Sequence, residues 1–151
     1  MRPEILAPAG RVIGVDLGAA HTFLGIPYGK PPVGSLRWRA SERAAPVNII
    51  DATAPAAAPP QIKCAPQAWE PGLRTEPMGE DCLNLDIYTP ALPGRARPVI
   101  VHVFGGGFQR GSAGGMGSDG ARFASSSNCI IVRPNMRVGA LGFLHLAHAF
   151  P

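Results

Sequence analysis

Short apolar runs separated by glycine- and proline-rich stretches set the rhythm of this chain, and their alternation predicts strands first. Residues 11–16 and 21–26 are two such runs, and Leu17-Gly18-Ala19-Ala20 between them reads as the turn of a β-hairpin. The next stretch, Pro27-Tyr28-Gly29-Lys30-Pro31-Pro32-Val33-Gly34, holds three prolines and excludes regular structure. A short strand is expected at 47–51. Residues 52–80 form an Ala/Pro-rich connection with Trp69 in it, longer than an ordinary loop. Leu83-Asn84-Leu85-Asp86-Ile87-Tyr88 then alternates apolar and polar positions, the pattern of a half-buried strand.

The last third has a different texture. Val99-Ile100-Val101-His102-Val103-Phe104 is almost continuously apolar and β-branched, which predicts a strand covered on both faces. A glycine-rich loop follows, then a helix at about 119–126, then a second buried run at 129–132. Strand, loop, helix, strand is a βαβ unit with an expected right-handed crossover. Fifteen of the 17 prolines lie at or before Pro98, whereas eight of the 19 glycines lie from Gly105 to Gly120. The glycines therefore mark one loop at the C-terminal end of a strand, where open α/β sheets bind ligands.

Composition narrows the function. The chain has 151 residues, 46% of them hydrophobic and 16% charged, which excludes the signature of intrinsic disorder. Its net charge of +4 comes mostly from Arg, twelve of the 14 basic residues. These arginines are scattered from Arg2 to Arg137 with no interleaved aromatic platform, so nucleic-acid binding is not expected. Cys64, Cys82 and Cys129 contain no C-x-x-C pair and no histidine at ligand spacing, so no metal site is expected, and at most one disulfide can form. Cys129 sits in an apolar run and reads as a buried small hydrophobe. The amino terminus lacks a signal-peptide core, and no segment reaches the ~20 apolar residues of a membrane span.

Gly105-Gly106-Gly107 lets the backbone adopt conformations other residues avoid and brings its amides close to a ligand. Two such amides can donate to a developing oxyanion. A phosphate cradle requires a lysine after the loop, and neither Lys30 nor Lys63 is there. Arg110 occupies the third glycine position of a dinucleotide fingerprint. A permissive turn between strand and helix is the plain alternative.

The triple glycine is one of four motifs in fixed order. Phe23-Leu24-Gly25-Ile26-Pro27-Tyr28-Gly29-Lys30-Pro31-Pro32-Val33-Gly34, Glu80-Asp81-Cys82-Leu83-Asn84-Leu85-Asp86-Ile87-Tyr88, Phe104-Gly105-Gly106-Gly107-Phe108 and Asn135-Met136-Arg137-Val138-Gly139-Ala140-Leu141-Gly142-Phe143-Leu144 together resemble the type-B carboxylesterase and cholinesterase-like family of α/β-hydrolases. The resemblance implies the N-terminal part of an α/β-hydrolase fold: a β-hairpin leading into a mixed, mostly parallel sheet, left incomplete, with residues 1–151 a fragment of a single domain. It implies an oxyanion hole at the amides of Gly106 and Gly107, a disulfide from Cys82 to Cys64, and an ion pair between Arg37 and Glu80. The substrate implied is a small carboxylic ester, hydrolysed through a serine acyl-enzyme without cofactor or metal. The disulfide favours an oxidising compartment. Trp69 reads as a packed loop aromatic.

The family's Ser-Glu/Asp-His triad places its serine in Gly-x-Ser-x-Gly. Ser35, Ser41, Ser112, Ser118 and Ser125 to Ser127 all lack the paired glycines, and none of His21, His102, His145 and His148 is placed as the general base. The 151 residues alone are therefore expected to be inactive. Two other readings stand beside this one: a non-catalytic cholinesterase-like interaction module, and a degenerate, truncated product. Arg133-Pro134, where the family has a small polar and an apolar residue, favours the last, because proline removes a ladder hydrogen bond and a buried charge needs a partner.

Overall fold

The computed structural model of the protein describes residues 2–62, 77–90, 96–115 and 119–145. Among the described residues, eight strands form two sheets. β1 (Glu4–Ala7), β2 (Gly10–Ile13) and β5 (Ile49–Asp51) make a three-stranded sheet in the order β1-β2-β5. β3 (Val15–Asp16), β4 (Ala20–Pro27), β6 (Asn84–Pro90), β7 (Val99–Val101) and β8 (Ile130–Pro134) make a five-stranded sheet in the order β3-β4-β6-β8-β7. The larger sheet is mixed. Its parallel ladder is β7–β8, and β3–β4, β4–β6 and β6–β8 are antiparallel.

The run at 11–16 does not pair as one strand of a hairpin. It is divided at Gly14, whose Cα lies so close to the Thr22 carbonyl and the Phe23 ring that a side chain has no room. Only Val15 and Asp16 pair with β4, whereas β2 turns to β1 and β5 in the smaller sheet.

Period-two alternation on β4 and β6 divides the core. Phe23 and Ile87 point to one face and meet Val12, Ile50 and Ala52 of the smaller sheet. Ala20, Tyr88 and Ile131 point to the other and meet Ala121 and Ala124 of helix α1 (Gly120–Ser127) together with Cys129. Asp119 caps α1, its Oδ1 accepting from the amides of Ala121 at 3.0 Å and Arg122 at 3.1 Å. Asn128 ends it in the left-handed conformation, φ 49°. Gly120 has to be small, since a Cβ would press into the Tyr88 ring. With β7 and β8, α1 completes the expected βαβ unit.

Among the described residues the apolar run at 99–104 lies at the sheet edge. It is not covered on both faces: Val99 is 57% and Val101 60% exposed. β7 is the edge strand, and α1 packs on β4, β6 and β8 instead. Its ladder is also cut short. Ile130 N donates to Pro98 O at 2.9 Å and His102 N to Val132 O at 2.8 Å, so the next donor in that parallel series belongs to residue 134. Residue 134 is proline, which has no N–H. On its other side β8 is undisturbed, with Leu85 opposite Pro134 and Asn135 N donating to Asn84 O at 2.8 Å. Arg133 is buried directly opposite the buried Asp86, with its guanidinium 5.1 Å from the centre of the Tyr88 ring. β8 thus keeps its pairing with β6 through Arg133 and Pro134, while its ladder with β7 ends at the proline.

Candidate oxyanion loop and its supports

Where β7 stops, the chain enters the glycine loop. Phe104 is buried, whereas Gly105, Gly106 and Gly107 are exposed. Gly106 (φ 142°) and Gly107 (φ 61°) both occupy conformations that favour glycine, and Phe108 follows at φ 63°. The Gly106 carbonyl accepts from Gln109 N at 3.2 Å and Arg110 N at 3.3 Å, folding the loop back on itself. That turn brings the Arg110 carbonyl against Gly106 Cα, where a Cβ would overlap it. Among the described residues, the amides of Gly106 and Gly107 donate to no acceptor, so they face solvent with donor capacity unspent.

The turn is held from several sides. Gln61 grips Gly111 with both ends of its amide: Gly111 N donates to Oε1 at 2.8 Å, and Nε2 donates to Gly111 O at 2.9 Å. A buried Asn135 accepts from Ala113 N at 2.7 Å through Oδ1 and donates to Asn84 Oδ1 at 3.0 Å. Tyr28 Oη donates to the Asn135 carbonyl at 2.6 Å, and burial raises the Tyr28 pKa. Gly139 N donates to Phe108 O at 2.7 Å, and Phe143 of the short helix α2 (Gly139–Phe143) packs its ring 4.6 Å from that of Phe108. Sequence reading gave Gln61 and Asn135 no role. The available signal for Asn135 is a polar residue closing a buried run; Gln61 lies in an Ala/Pro-rich stretch with no local pattern.

Arg37 and Glu80 lie side by side. Arg37 Nε donates to Oε2 at 2.5 Å and Nη2 to Oε1 at 2.9 Å, a two-pronged contact that lowers the Glu80 pKa and raises that of Arg37. Next to it Trp38, at φ 59°, donates from Nε1 to the Ala140 carbonyl at 3.2 Å and so reaches α2. Arg137 Nη2 donates to Arg39 O at 2.8 Å. Cys82 is fully buried beside these groups as a free thiol, and burial pushes its pKa up to about 11. Cys64 and Trp69 lie outside the described residues, so the expected pairing of Cys64 with Cys82 and the packing of Trp69 find no description here.

The histidines are dispersed. His21 Nε2 is 3.5 Å from Asp16 Oδ1 at the hairpin, His102 extends the β7 ladder, His145 is exposed, and His148 is outside the described residues. Among the described residues no group of three or more His, Cys, Asp or Glu could hold a metal ion, and no helix is long and apolar enough to cross a membrane.

Residues 1–149 match the model of the carboxylesterase family. The chain is 38% identical over 151 residues to the phenmedipham hydrolase of Pseudarthrobacter oxydans, a match covering 95% of this chain and 29% of that protein. It is 35% identical to the para-nitrobenzyl esterase of Bacillus subtilis (strain 168), covering 91% of this chain and 28% of the relative, and 34% identical to the acetylcholinesterase of Gallus gallus, covering 97% and 21%. The solved structure of a thermophylic PNB esterase superposes with a TM-score of 0.83 at 32% identity, over 98% of this chain and 30% of that one. The chain therefore spans less than a third of the length of these relatives, and it has part of the fold of α/β-hydrolase esterases.

Proposed function

The chain belongs to the carboxylesterase family, and from that membership we propose that its glycine loop supplies the oxyanion hole of a serine-dependent carboxylic ester hydrolase. The observation that carries the reading is the pair of exposed amides at Gly106 and Gly107, without acceptors, in a turn fixed by the backbone behind them. In the reaction a serine attacks the ester carbonyl, and the carbonyl oxygen gains negative charge as the tetrahedral intermediate forms. Pre-oriented donors stabilise that charge without reorganising, each worth about 3–4 kcal/mol at the transition state. No Gly-x-Ser-x-Gly occurs within these 151 residues, so in this reading the nucleophile, and with it the acid and base, are supplied by other residues of the complete protein. In an oxidising compartment the free Cys82 thiol would be joined to Cys64, and the substrate is a small carboxylic ester.

The pairing of β8 with β6 continues through Arg133 and Pro134, which supports this reading over a degenerate product. The test is hydrolysis of para-nitrophenyl acetate and labelling by a serine-directed fluorophosphonate. The complete protein carrying this sequence is expected to do both, and the 151-residue chain neither. Stoichiometric labelling of the 151-residue chain, or a complete protein inert to both reagents, overturns the proposal.

A further inference from the structure

We infer that Gln61 is a positioning residue for ester hydrolysis, fixing the Gly106 and Gly107 donors through its two-pronged hold on the Gly111 peptide. The inference rests on the oxyanion-hole reading above and deepens it. Gln61 is remote in sequence from the glycine loop, yet it satisfies both the N–H and the C=O of one loop residue, at 2.8 and 2.9 Å. Its Nε2 also donates to Pro59 O at 3.0 Å, so the carboxamide is fixed from its own side as well.

The effect reaches the donors through close packing. Gly111 adopts φ 120° and lies so near the Phe104 ring and the Gly105 carbonyl that no side chain fits there. Its neighbour Arg110 presents its carbonyl to Gly106 Cα and its N–H to the Gly106 carbonyl. Displacing the Gly111 peptide therefore moves the Arg110 peptide, and with it the turn that orients Gly106 and Gly107. An oxyanion donor acts only at the right distance, so a shift of about 1 Å costs catalysis out of proportion to stability.

Two substitutions separate the possibilities. Gln61→Ala removes both contacts. Gln61→Glu keeps size and the acceptor for Gly111 N–H but sets a carboxylate oxygen against Gly111 O. In the complete protein, with para-nitrophenyl acetate, both variants are expected to lower kcat by roughly 10- to 100-fold with KM held within about twofold, the mark of an interaction realised in the transition state. Hydrogen exchange by mass spectrometry on the peptide covering Gly105 to Gly111 is expected to rise, because the Gln109 and Arg110 amides lose protection when the turn loosens. If Gln61→Ala does not fold, Gln61→Glu decides alone. Unchanged exchange in a folded variant overturns the inference, as does raised exchange with unchanged kcat. A wild-type protein without activity overturns the esterase reading instead, and the exchange measurement still decides whether Gln61 sets the loop.

Discussion

Asp86 and Arg133 stand directly opposite each other on β6 and β8, at 2% and 5% exposure, on the face that α1 covers. Asp86 Oδ1 also accepts from Gly25 N at 2.9 Å, at the irregularity in β4 where Gly25 adopts φ 71°. The guanidinium lies over the Tyr88 ring, which sits on the same face two residues along. Opposite charges facing each other across a ladder stabilise the register, and removing one leaves the other buried. Asp86→Asn and Arg133→Met are each expected to destabilise the protein by ~3 kcal/mol, and the double substitution by clearly less than the sum. Chemical denaturation of the four proteins checks this; additive losses would show that the two residues act independently.

The three glycines of the loop are not equivalent. A Cβ on Gly105 meets open space at an ordinary φ, whereas one on Gly106 overlaps the Arg110 carbonyl at φ 142°. Gly106→Ala is expected to cut kcat/KM for para-nitrophenyl acetate by roughly 10²- to 10³-fold, the range for loss of one oxyanion donor. Gly105→Ala is expected to change it by less than about tenfold. Steady-state kinetics on the complete protein compares them, and equal losses at the two positions would refute the geometric distinction.

Much of this was legible in the chain because local patterning specifies it. Alternation at 83–88 marked β6, the strand-loop-helix-strand order placed α1 at about 119–126, and the triple glycine marked the loop. The misreadings arose where long-range packing decides. The run at 11–16 looks continuous, and only the contact of Gly14 with Phe23 divides it between two sheets. Gln61 and Asn135 hold the loop across 50 and 22 residues, and no local periodicity encodes such separations. The motif-derived pair Arg37 and Glu80 lies 43 residues apart in sequence and became visible only through the resemblance.

The Arg37 to Glu80 contact has a defined pH signature. Hydrogen bonding from Arg37 lowers the Glu80 pKa below its ordinary 4.5, so the folded state releases this proton more readily than the unfolded chain. A lowered carboxylate pKa gives stability that is complete above the unfolded value and disappears as pH falls through the folded one. The melting-temperature gap between wild type and Glu80→Gln is therefore expected to be constant from about pH 8 to 5 and to close below about pH 4.5. The gap is small, since both side chains are roughly a third exposed. Arg37→Lys should narrow it at neutral pH too, because an ammonium cannot reproduce the two-pronged contact. A gap that persists unchanged at low pH would mean the ionised pair is not its source.

Cys82 offers a direct chemical readout of burial. Its thiol pKa is pushed up to about 11, chiefly by desolvation, with the Asp81 and Glu80 charges adding to the shift and Arg137 opposing it. Since only the thiolate reacts, alkylation of the reduced, folded protein by iodoacetamide at about pH 8 is expected to be roughly 100-fold slower at Cys82 than in urea. The same shift fixes the direction of a stability change. From pH 9 to about 11 the unfolded chain gives up this proton while the folded one keeps it, so stability falls as pH rises across that window. Peptide mass spectrometry of the labelled protein, native against unfolded, measures the ratio. Equal rates in the two states would place Cys82 at the surface and contradict the packing beneath the Arg37 and Glu80 pair.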